Sequence, residues 1–441
     1  MKFPEKFIEK MSTYLGDEIN DFIGSYDRKY RKSIRINRLK ISVEEFLKIS
    51  PFKLQAIPWT EDGFYVEEDI NPSRHPYYYA GLYYIQEASA MAPVSYMEVE
   101  DGDVVLDLCS APGGKTVQIA SDNESGLIVA NDISNGRLKA VVKNIEMYGI
   151  KNCVVINEDV EKINQKLSRR FDKILVDAPC SGEGMFKKDS GAVKAWESHG
   201  VSVCVEKQES IMQHIDELIS GSGQIMYSTC TFSSEENEEQ IISICEKENV
   251  EIKGLETVFE KGLSGNIDID QGVARIWPHK VEGEGHFFAR VQVENTMDRG
   301  FSKKETSMPE EFQNFIKENL NKDFSGNFMT IKDKLYLCDF DLDPFKGLRV
   351  IRSGWHLGEL KRGRFIPSQA LAMGLLKEDA KRVVNFTSDS VEVIKYLKGE
   401  SIRVESEKGY NLILVDSYPI GWAKSDGKML KNNYPSAWRM L

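Results

Sequence analysis

Between residues 104 and 229 five continuous apolar runs recur: VVLDL (104–108), GLIVAND (126–132), CVVIN (153–157), KILVD (173–177) and QIMYST (224–229). Helical stretches such as SNGRLKAVVKNIEMYG and EKQESIMQHIDELISG separate them. A strand that is apolar at successive positions has no face to give to water, so such strands pair in parallel beneath helices on both sides. The repeat predicts an α/β domain over 96–293, whose ligands sit at the carboxyl ends of the strands.

A chain of 441 residues exceeds one typical core, and its flanks read differently. In the first segment Phe3, Phe7, Ile8, Met11, Leu15, Ile19, Phe22 and Ile23 recur at helical spacing, with a break at Gly16-Asp17. SIRINRLKI then alternates like a strand, SVEEFLKI resumes helical spacing, and KLQAIPW and DGFYVEE read as short strands. These make a small α+β domain over 1–95. The polar stretch 294–310 reads as a linker, 311–370 as an intermediate domain, and 371–441, with SIRVESEKGYNLILVDSYPIGWAKS, as a compact β domain. No apolar run approaches the ~18 residues of a membrane span, and MKFPEKFIEK alternates charge with apolar residues, unlike a signal peptide. The expected address is the cytoplasm, with no membrane partner.

The turn after the first strand, LDLCSAPGGKT, carries Gly113 and Gly114, which permit close backbone approach, and opens a helix whose free N–H groups suit a carboxylate or phosphate. A phosphate-binding GxxxxGK[ST] loop is disfavoured, because Cys109 occupies the place of its first glycine. Asp132, Asp159 and Asp177 follow three of the strands. A single aspartate there is more often a helix cap than a ligand, but three along one carboxyl edge line one crevice, where Asp132 is placed to accept ribose hydroxyls. A nucleoside bearing a carboxylate fits, and S-adenosylmethionine is such a molecule.

Two thiols lie at strand exits, Cys180 in ILVDAPCSGEG and Cys230 in MYSTCTFSSEENEE. Seven cysteines without a CxxC pair do not make a disulfide scaffold, and six histidines without paired spacing suggest no metal. A zinc deaminase needs P-C-x-x-C, whereas Pro179-Cys180 is followed by Ser181, Gly182 and Glu183. Cys153 and Cys245 lie within apolar runs and read as core. A thiolate added at carbon 6 of cytosine turns the ring into an enamine able to attack a sulfonium methyl, and a second thiol beside it can assist release. Physical chemistry alone does not rank the pair. Helix-start N–H groups after Ser233 or Ser234 lower the pKa of Cys230, while Glu235, Glu236, Glu238 and Glu239 raise it.

A net charge of −12 argues against a protein that coats nucleic acid indiscriminately. Two runs depart from it. RKYRKSIRINRLK (28–40) carries seven basic residues and no acid, and KGLRVIRSGWHLGELKRGRF (346–365) carries six, plus His356, against Glu359 alone. Either is compatible with a solvated face. Tyr30 accompanies the first, and Trp355 and Phe365 move the second toward RNA contact through Arg349, Arg352, Lys361, Arg362 and Arg364.

LDLCSAPGGKT, DAPCSGEGMFKKD, YSTCTFSSEENE, IQEASAM and RIWPHKVEGEGHFFARV together closely resemble the Nop2/Sun group of RNA 5-methylcytosine methyltransferases, bacterial RsmF branch. The resemblance is strong over 1–293 and weaker in the carboxyl-terminal third. It implies a Rossmann-like methyltransferase core, a small α+β amino-terminal domain and mixed or β RNA-binding elements ending in a PUA-like module. The implied activity is S-adenosylmethionine-dependent methylation of cytosine carbon 5 in 16S rRNA, naked or in an assembling or assembled small subunit, by a monomer. Cys230 is then the nucleophile, Cys180 the thiol that assists release, and Asp177 and Lys115 orient the cytosine. The loop Cys109, Ser110, Ala111, Pro112, Gly113, Gly114 and Lys115 holds the methionine end of the cofactor. Asp132 and Asp159 hold its ribose and adenine, and Arg137 and Asp177 complete that set. RINRLK matches the RNA-contacting region loosely, through Arg35 and Asn37, with Arg38 where a threonine or valine is common. The alternatives are a tRNA cytosine methyltransferase, a non-catalytic RNA-binding assembly factor, and a mechanism in which Cys180 is the nucleophile, as in DNA cytosine-5 enzymes.

Overall fold

The computed structural model describes residues 3–29, 31–67, 70–188 and 190–440; Tyr30 of the first basic run lies outside them. Its centre is a nine-stranded sheet. Five parallel strands occupy the middle in the order Ile219–Thr229, Phe171–Asp177, Val104–Asp107, Leu127–Asn131, Cys153–Ile156. The chain order reverses between Phe171–Asp177 and Val104–Asp107, which opens a crevice at their carboxyl ends.

The sheet separates two apolar clusters by strand alternation. Val105, Ile128 and Val155 face one side, and Leu106, Val129, Val154 and Ile174 the other. Leu138, Val141 and Ile145 of helix Asn135–Met147 recur at helical spacing and are buried.

Beyond the parallel strands the sheet continues antiparallel. His286–Glu294 pairs with Ile219–Thr229 and carries Val250–Ile252 and Val273–Ile276. At the opposite edge Val350–Ser353, from beyond the linker, pairs with Cys153–Ile156, with Ser353 opposite Val154. That strand lies within the second basic run and buries part of it. Arg352 donates from Nε to Gly354 O at 2.8 Å and from Nη2 to Ile150 O at 3.4 Å. The expectation that Arg352 faces RNA is corrected accordingly.

The amino-terminal helices Glu5–Leu15 and Ile19–Ser25 flank a 3-10 turn, Gly16–Glu18, where the sequence breaks. Phe7, Met11, Phe22 and Tyr26 pack with Phe186, Trp196, Phe232 and Trp277 of the catalytic domain. Phe22 meets Phe232 edge to face at 5.3 Å, and Phe232 stacks on Trp277 at 5.1 Å. A four-stranded antiparallel sheet follows, in the order Leu54–Ala56, Gly63–Val66, Ser33–Ile36, Tyr83–Ile85. The strand predicted through residue 41 ends at Ile36, because Asn37 turns inward to donate to Gly81 O at 2.8 Å and Tyr148 O at 3.1 Å. Arg35 is also buried, donating to Gln86 Oε1 at 3.0 Å and pairing with Asp62 at 3.4 Å. Arg35 and Asn37 therefore hold the domain together and present no surface to RNA.

After the linker, helix Glu310–Asn319 packs on a sheet of Asn327–Ile331, Lys334–Cys338, Trp355–Lys361 and Arg364–Pro367. Trp355 and Phe365 belong to that core, with Trp355 Nε1 bonded to Ala370 O at 2.9 Å. Both are thereby unavailable for stacking on bases. A five-stranded sheet, in the order Val383–Phe386, Gly409–Val415, Tyr418–Ser425, Met429–Asn432, Ile402–Arg403, closes the fold. No helix among the described residues is long and apolar enough to cross a membrane.

The position of Arg352 makes a testable distinction. Arg352→Ala leaves buried carbonyls without their donor, at a cost of about 1–3 kcal/mol for each such group. It should lower the midpoint of thermal unfolding by several degrees. A variant that melts like the parent would place this guanidinium at the surface.

Candidate active site

The parallel register pairs Asp177 with Ser228. Cys180 lies three residues beyond the first and Cys230 two beyond the second, and Ala178 N is bonded to Ser228 O at 2.8 Å, so the turns leave the sheet at one height. The two sulfurs end 3.2 Å apart, unlinked. Cys180 is pushed well above the ordinary thiol range by its hydrogen bond to the Cys230 sulfur, with burial and the charge of Glu236 adding to the effect. Either sulfur can donate to the other across this contact. Cys109 is likewise pushed up by burial and, at the exit of Val104–Asp107, remains a neutral thiol.

Buried acids fix the turns. Glu183 accepts from Phe232 N at 2.8 Å, Ser233 N at 3.0 Å, Ser233 Oγ at 2.7 Å and Trp196 Nε1 at 3.0 Å. Glu236 accepts from Ser181 N at 2.8 Å, from Ser181 Oγ and from Gln208 Nε2 at 3.2 Å, and burial pushes it up to about 7. Gly184 N bonds to Cys230 O at 2.9 Å. A Cβ at Gly184 would stand 2.8 Å from Glu284 O and 3.1 Å from Cys230 O, so only glycine allows this approach. The other acids after Cys230 are also engaged: Glu235 by Lys10 at 2.8 Å and Glu238 by Arg275 at 2.6 Å. Sequence reasoning gives Glu183 no role and counts Glu236 only among the acids acting on Cys230, whereas both fix the turns. Their signal was a glycine-flanked acid in SGEG and an acid six residues beyond a strand-end thiol.

At the floor of the crevice Lys115 Nζ lies 2.8 Å from Asp177 Oδ2, while Ser228 Oγ donates to Oδ1 at 2.9 Å. His286 Nε2 is 3.7 Å from Oδ1. Burial acts to raise the Asp177 pKa, but the Lys115 ammonium and His286 outweigh it and hold the carboxyl well below the usual range. Burial, reinforced by Lys115, lowers the pKa of His286, which stays neutral.

The neighbouring half of the crevice is built from the first turn. Gly113 takes φ 104° before helix Gly114–Asp122, and a Cβ on Gly114 would meet the Tyr84 ring at 2.9 Å. Asp132 accepts from Ala111 N at 3.3 Å and Ser134 N at 2.8 Å and pairs with Arg137 at 3.4 Å; Arg137 also donates to Ala111 O at 2.5 Å. Ile133, beside it, is 76% exposed. Ser110 Oγ and Asp107 Oδ1 are buried without a protein partner. Burial pushes Asp107 up to about 7. Asp159 is exposed and caps helix Val160–Leu167 through Lys162 N at 2.9 Å, the ordinary use of an aspartate at that place. Free N–H groups at a helix start, an acid beside the turn, an exposed apolar side chain and unpaired buried oxygens suit an amino acid joined to a nucleoside.

Of the expected RNA contacts, Arg349 is exposed, with its main-chain N–H on Glu158 Oε1 at 2.6 Å. Lys361, Arg362 and Arg364 are exposed at one hairpin tip, where Lys361 contacts Glu359.

A crevice of this kind at the switch point of a parallel sheet suits a nucleoside-bearing cofactor, and the family that the chain matches makes it an S-adenosylmethionine-dependent methyltransferase. Residues 94–292 match the family profile described as 16S rRNA methyltransferase RsmB/F. Residues 3–88 match the N-terminal domain of 16S rRNA methyltransferase RsmF, 314–375 its first C-terminal domain and 383–440 its PUA domain. Ribosomal RNA small subunit methyltransferase F of Vibrio campbellii is 32% identical over 98% of this chain and 96% of its own length. The protein of the same name from Erwinia tasmaniensis is 30% identical over the same shares. This chain belongs to the ribosomal RNA small subunit methyltransferase F family. Among solved structures, a methyltransferase homologue from Pyrococcus horikoshii is 29% identical, with a TM-score of 0.55 over 63% of this chain and 92% of that one. NSun6 from the same organism, solved with SFG, shares the fold at a TM-score of 0.57 and 22% identity, over 66% of this chain and 98% of its own.

Asp132→Ala should remove a charged acceptor, whose hydrogen bonds are worth roughly 1.5–3 kcal/mol each, and weaken S-adenosylmethionine binding about tenfold or more. Titration calorimetry that finds parental affinity would take Asp132 out of the cofactor site.

Proposed function

We propose that this rRNA methyltransferase modifies carbon 5 of cytosine in 16S rRNA through a covalent cysteine adduct at carbon 6. The observation that carries the reading is the thiol pair 3.2 Å apart at two neighbouring strand ends. In this reading Cys230, at the STCT turn, is the nucleophile, and Cys180 stands within one hydrogen bond of it. Asp177, fixed by Lys115 and Ser228, faces the target ring as an ionised acceptor for its exocyclic amine. The Cys230 sulfur adds to carbon 6, and electron density moves to carbon 5. Bound S-adenosylmethionine supplies the electrophilic methyl group there. A base then takes the carbon 5 proton, that electron pair re-forms the 5,6 double bond as the carbon–sulfur bond breaks, and Cys230 leaves as the thiolate that attacked, with a hydrogen bond from the Cys180 thiol assisting its release.

Residues of the first turn with Asp132 and Arg137 hold the cofactor in this reading, and Asp159, engaged as a helix cap, drops out of the expected set. Arg349, Lys361, Arg362 and Arg364 contribute to RNA affinity from the surface. The relatives' name favours small-subunit rRNA over tRNA, and thiols held this closely have no use in an assembly factor that only binds. The protein acts in the cytoplasm as a monomer, on 16S rRNA either free or in an assembling or assembled small subunit, with its domains bounded near residues 95, 293, 310 and 370.

The test separates the two thiols. Cys230→Ala should abolish both methylation and any covalent complex. Cys180→Ala should still bond and methylate but fail to release, accumulating an RNA adduct that survives denaturing electrophoresis. An adduct in the Cys230 variant instead would exchange the roles. Two variants that both methylate normally without an adduct would end the thiol mechanism. Bisulfite sequencing of RNA from cells lacking the protein identifies the cytosine.

A further inference from the structure

Beside the catalytic turn a cavity of about 120 Å³ lies between the end of the second amino-terminal helix and the 278–284 loop. Four cations line it, Arg28, Lys29, Arg31 and Lys187, in a chain whose acids outnumber its bases by twelve. Two acids share the wall, and both are engaged. Glu282 contacts Arg31, which also lies 4.4 Å over the Tyr65 ring, and Glu284 pairs with Lys188 at 2.7 Å. Arg28 and Lys187 differ. Their hydrogen bonds go to main-chain oxygens, His279 O at 3.5 Å and Ser25 O at 3.4 Å, while Glu284 and Asp27 lie near enough to act on the Lys187 ammonium. A guanidinium carries five donors and an ammonium three, so these single bonds leave both side chains further donors beside the cleft.

The cleft's position supplies the second argument. Gly184 forms part of its wall, and the N–H of the same residue is bonded to Cys230 O at 2.9 Å. The cation cluster thus begins one hydrogen bond from the main chain of the reactive cysteine. A substrate whose base lies against Cys230 must carry its backbone out of the site, and each flanking nucleotide brings a phosphate that needs cations. Most protein contacts to nucleic acid go to phosphate and sugar, and such contacts set register without reading sequence.

We propose that Arg28 and Lys187 form a phosphate clamp for the nucleotide next to the target cytosine, seating the RNA strand so that the base enters against Cys230. The clamp deepens the proposed function and rests on it. It is distinct from the surface arginines of the carboxyl-terminal hairpin, which act on the RNA away from the target base.

The experiment uses the full-length chain and fluorescently labelled 16S rRNA transcribed in vitro. Arg28→Gln with Lys187→Gln should raise the RNA dissociation constant about tenfold and make its dependence on salt shallower by about 0.7 in log–log slope for each single-strand phosphate that the variant no longer neutralises. Calorimetric affinity for S-adenosylmethionine should stay at the parental value. The charge-conserving pair Arg28→Lys with Lys187→Arg should restore the slope, which a merely structural role does not predict. An unchanged dissociation constant and slope in the glutamine pair would overturn the clamp, as would a charge-conserving pair that keeps cofactor affinity yet fails to restore the slope. Displacement of the RNA by millimolar inorganic phosphate would assign the cleft to a free anion instead, and would also overturn it. The two readings fail separately. A parent protein that binds RNA but never methylates cytosine sinks the proposed function, whereas a methylating parent whose glutamine pair behaves identically sinks only the clamp.

Discussion

The register between two neighbouring parallel strands decides where the two strand-end thiols meet. Asp177 stands opposite Ser228, and that pairing alone brings the turns carrying Cys180 and Cys230 to one height above the sheet. A slip of one residue would turn alternate side chains to the opposite face and carry one turn away from the other. The register is protected from both sides. Ile174, Val176 and Ile225 bury on one face, Leu175 and Met226 on the other, so a slipped strand would exchange its contacts in both cores at once. Antiparallel pairing of Ile219–Thr229 with His286–Glu294 across eight residue pairs fixes it again from the far edge.

Register sets the height of the turns but not their shape, and that depends on buried acids. Four negative residues cluster after Cys230, a pattern that would oppose a thiolate if they stood free. Each is committed elsewhere. Glu235 and Glu238 are matched by Lys10 and Arg275, Glu236 is raised to about 7 and bound by Ser181 and Gln208, and Glu239 accepts from Ser234 Oγ at 3.2 Å. Glu183, from the other turn, collects donors from the main chain beyond Cys230. The acids therefore tie the two thiol-bearing turns to each other. Removing a donor from such a site strands a buried carboxylate, so the turns move together or not at all. The amino-terminal helices complete the assembly with the aromatic contacts of Phe22 on Phe232 and Phe7 on Phe186.

Much of this was legible in the sequence because it is local. An apolar run of strand length announces a buried strand, and the residue that follows it is placed at the sheet's edge. That suffices for the α/β class and for expecting Cys180, Cys230, Asp132 and Asp177 along one rim. What was illegible is non-local. Val350–Ser353 reads as part of a basic surface because its pairing partner lies about two hundred residues earlier. Arg35 and Arg352 read as RNA contacts because a charged side chain is assumed to be wet, and the groups that satisfy them, Asp62, Gln86 and the Ile150 carbonyl, come from other segments. Glu183 was passed over for the same reason: a carboxylate in a glycine-rich loop looks solvated until its donors are assembled around it.

The two basic runs show how one composition serves two purposes. Within each run the strand geometry sorts the cations. Arg35 and Arg352 fall inside and join segments that are distant in sequence. Lys40 does the same, spanning the carbonyls of Ala80 at 2.7 Å and Met147 at 3.2 Å, and burial lowers its pKa to about 7. A lysine held by carbonyls alone, close to neutrality, adds little positive potential to the surface. The residues at the ends of the runs, Arg28 at one and the 361–364 hairpin at the other, keep their charge at the surface. On a protein otherwise this acidic, exposed cations of this kind are the places where a polyanion is electrostatically favoured. Sorting cations into buried ties and exposed ends therefore does more than stabilise the fold: it leaves few orientations in which a polyanion can approach the thiol pair.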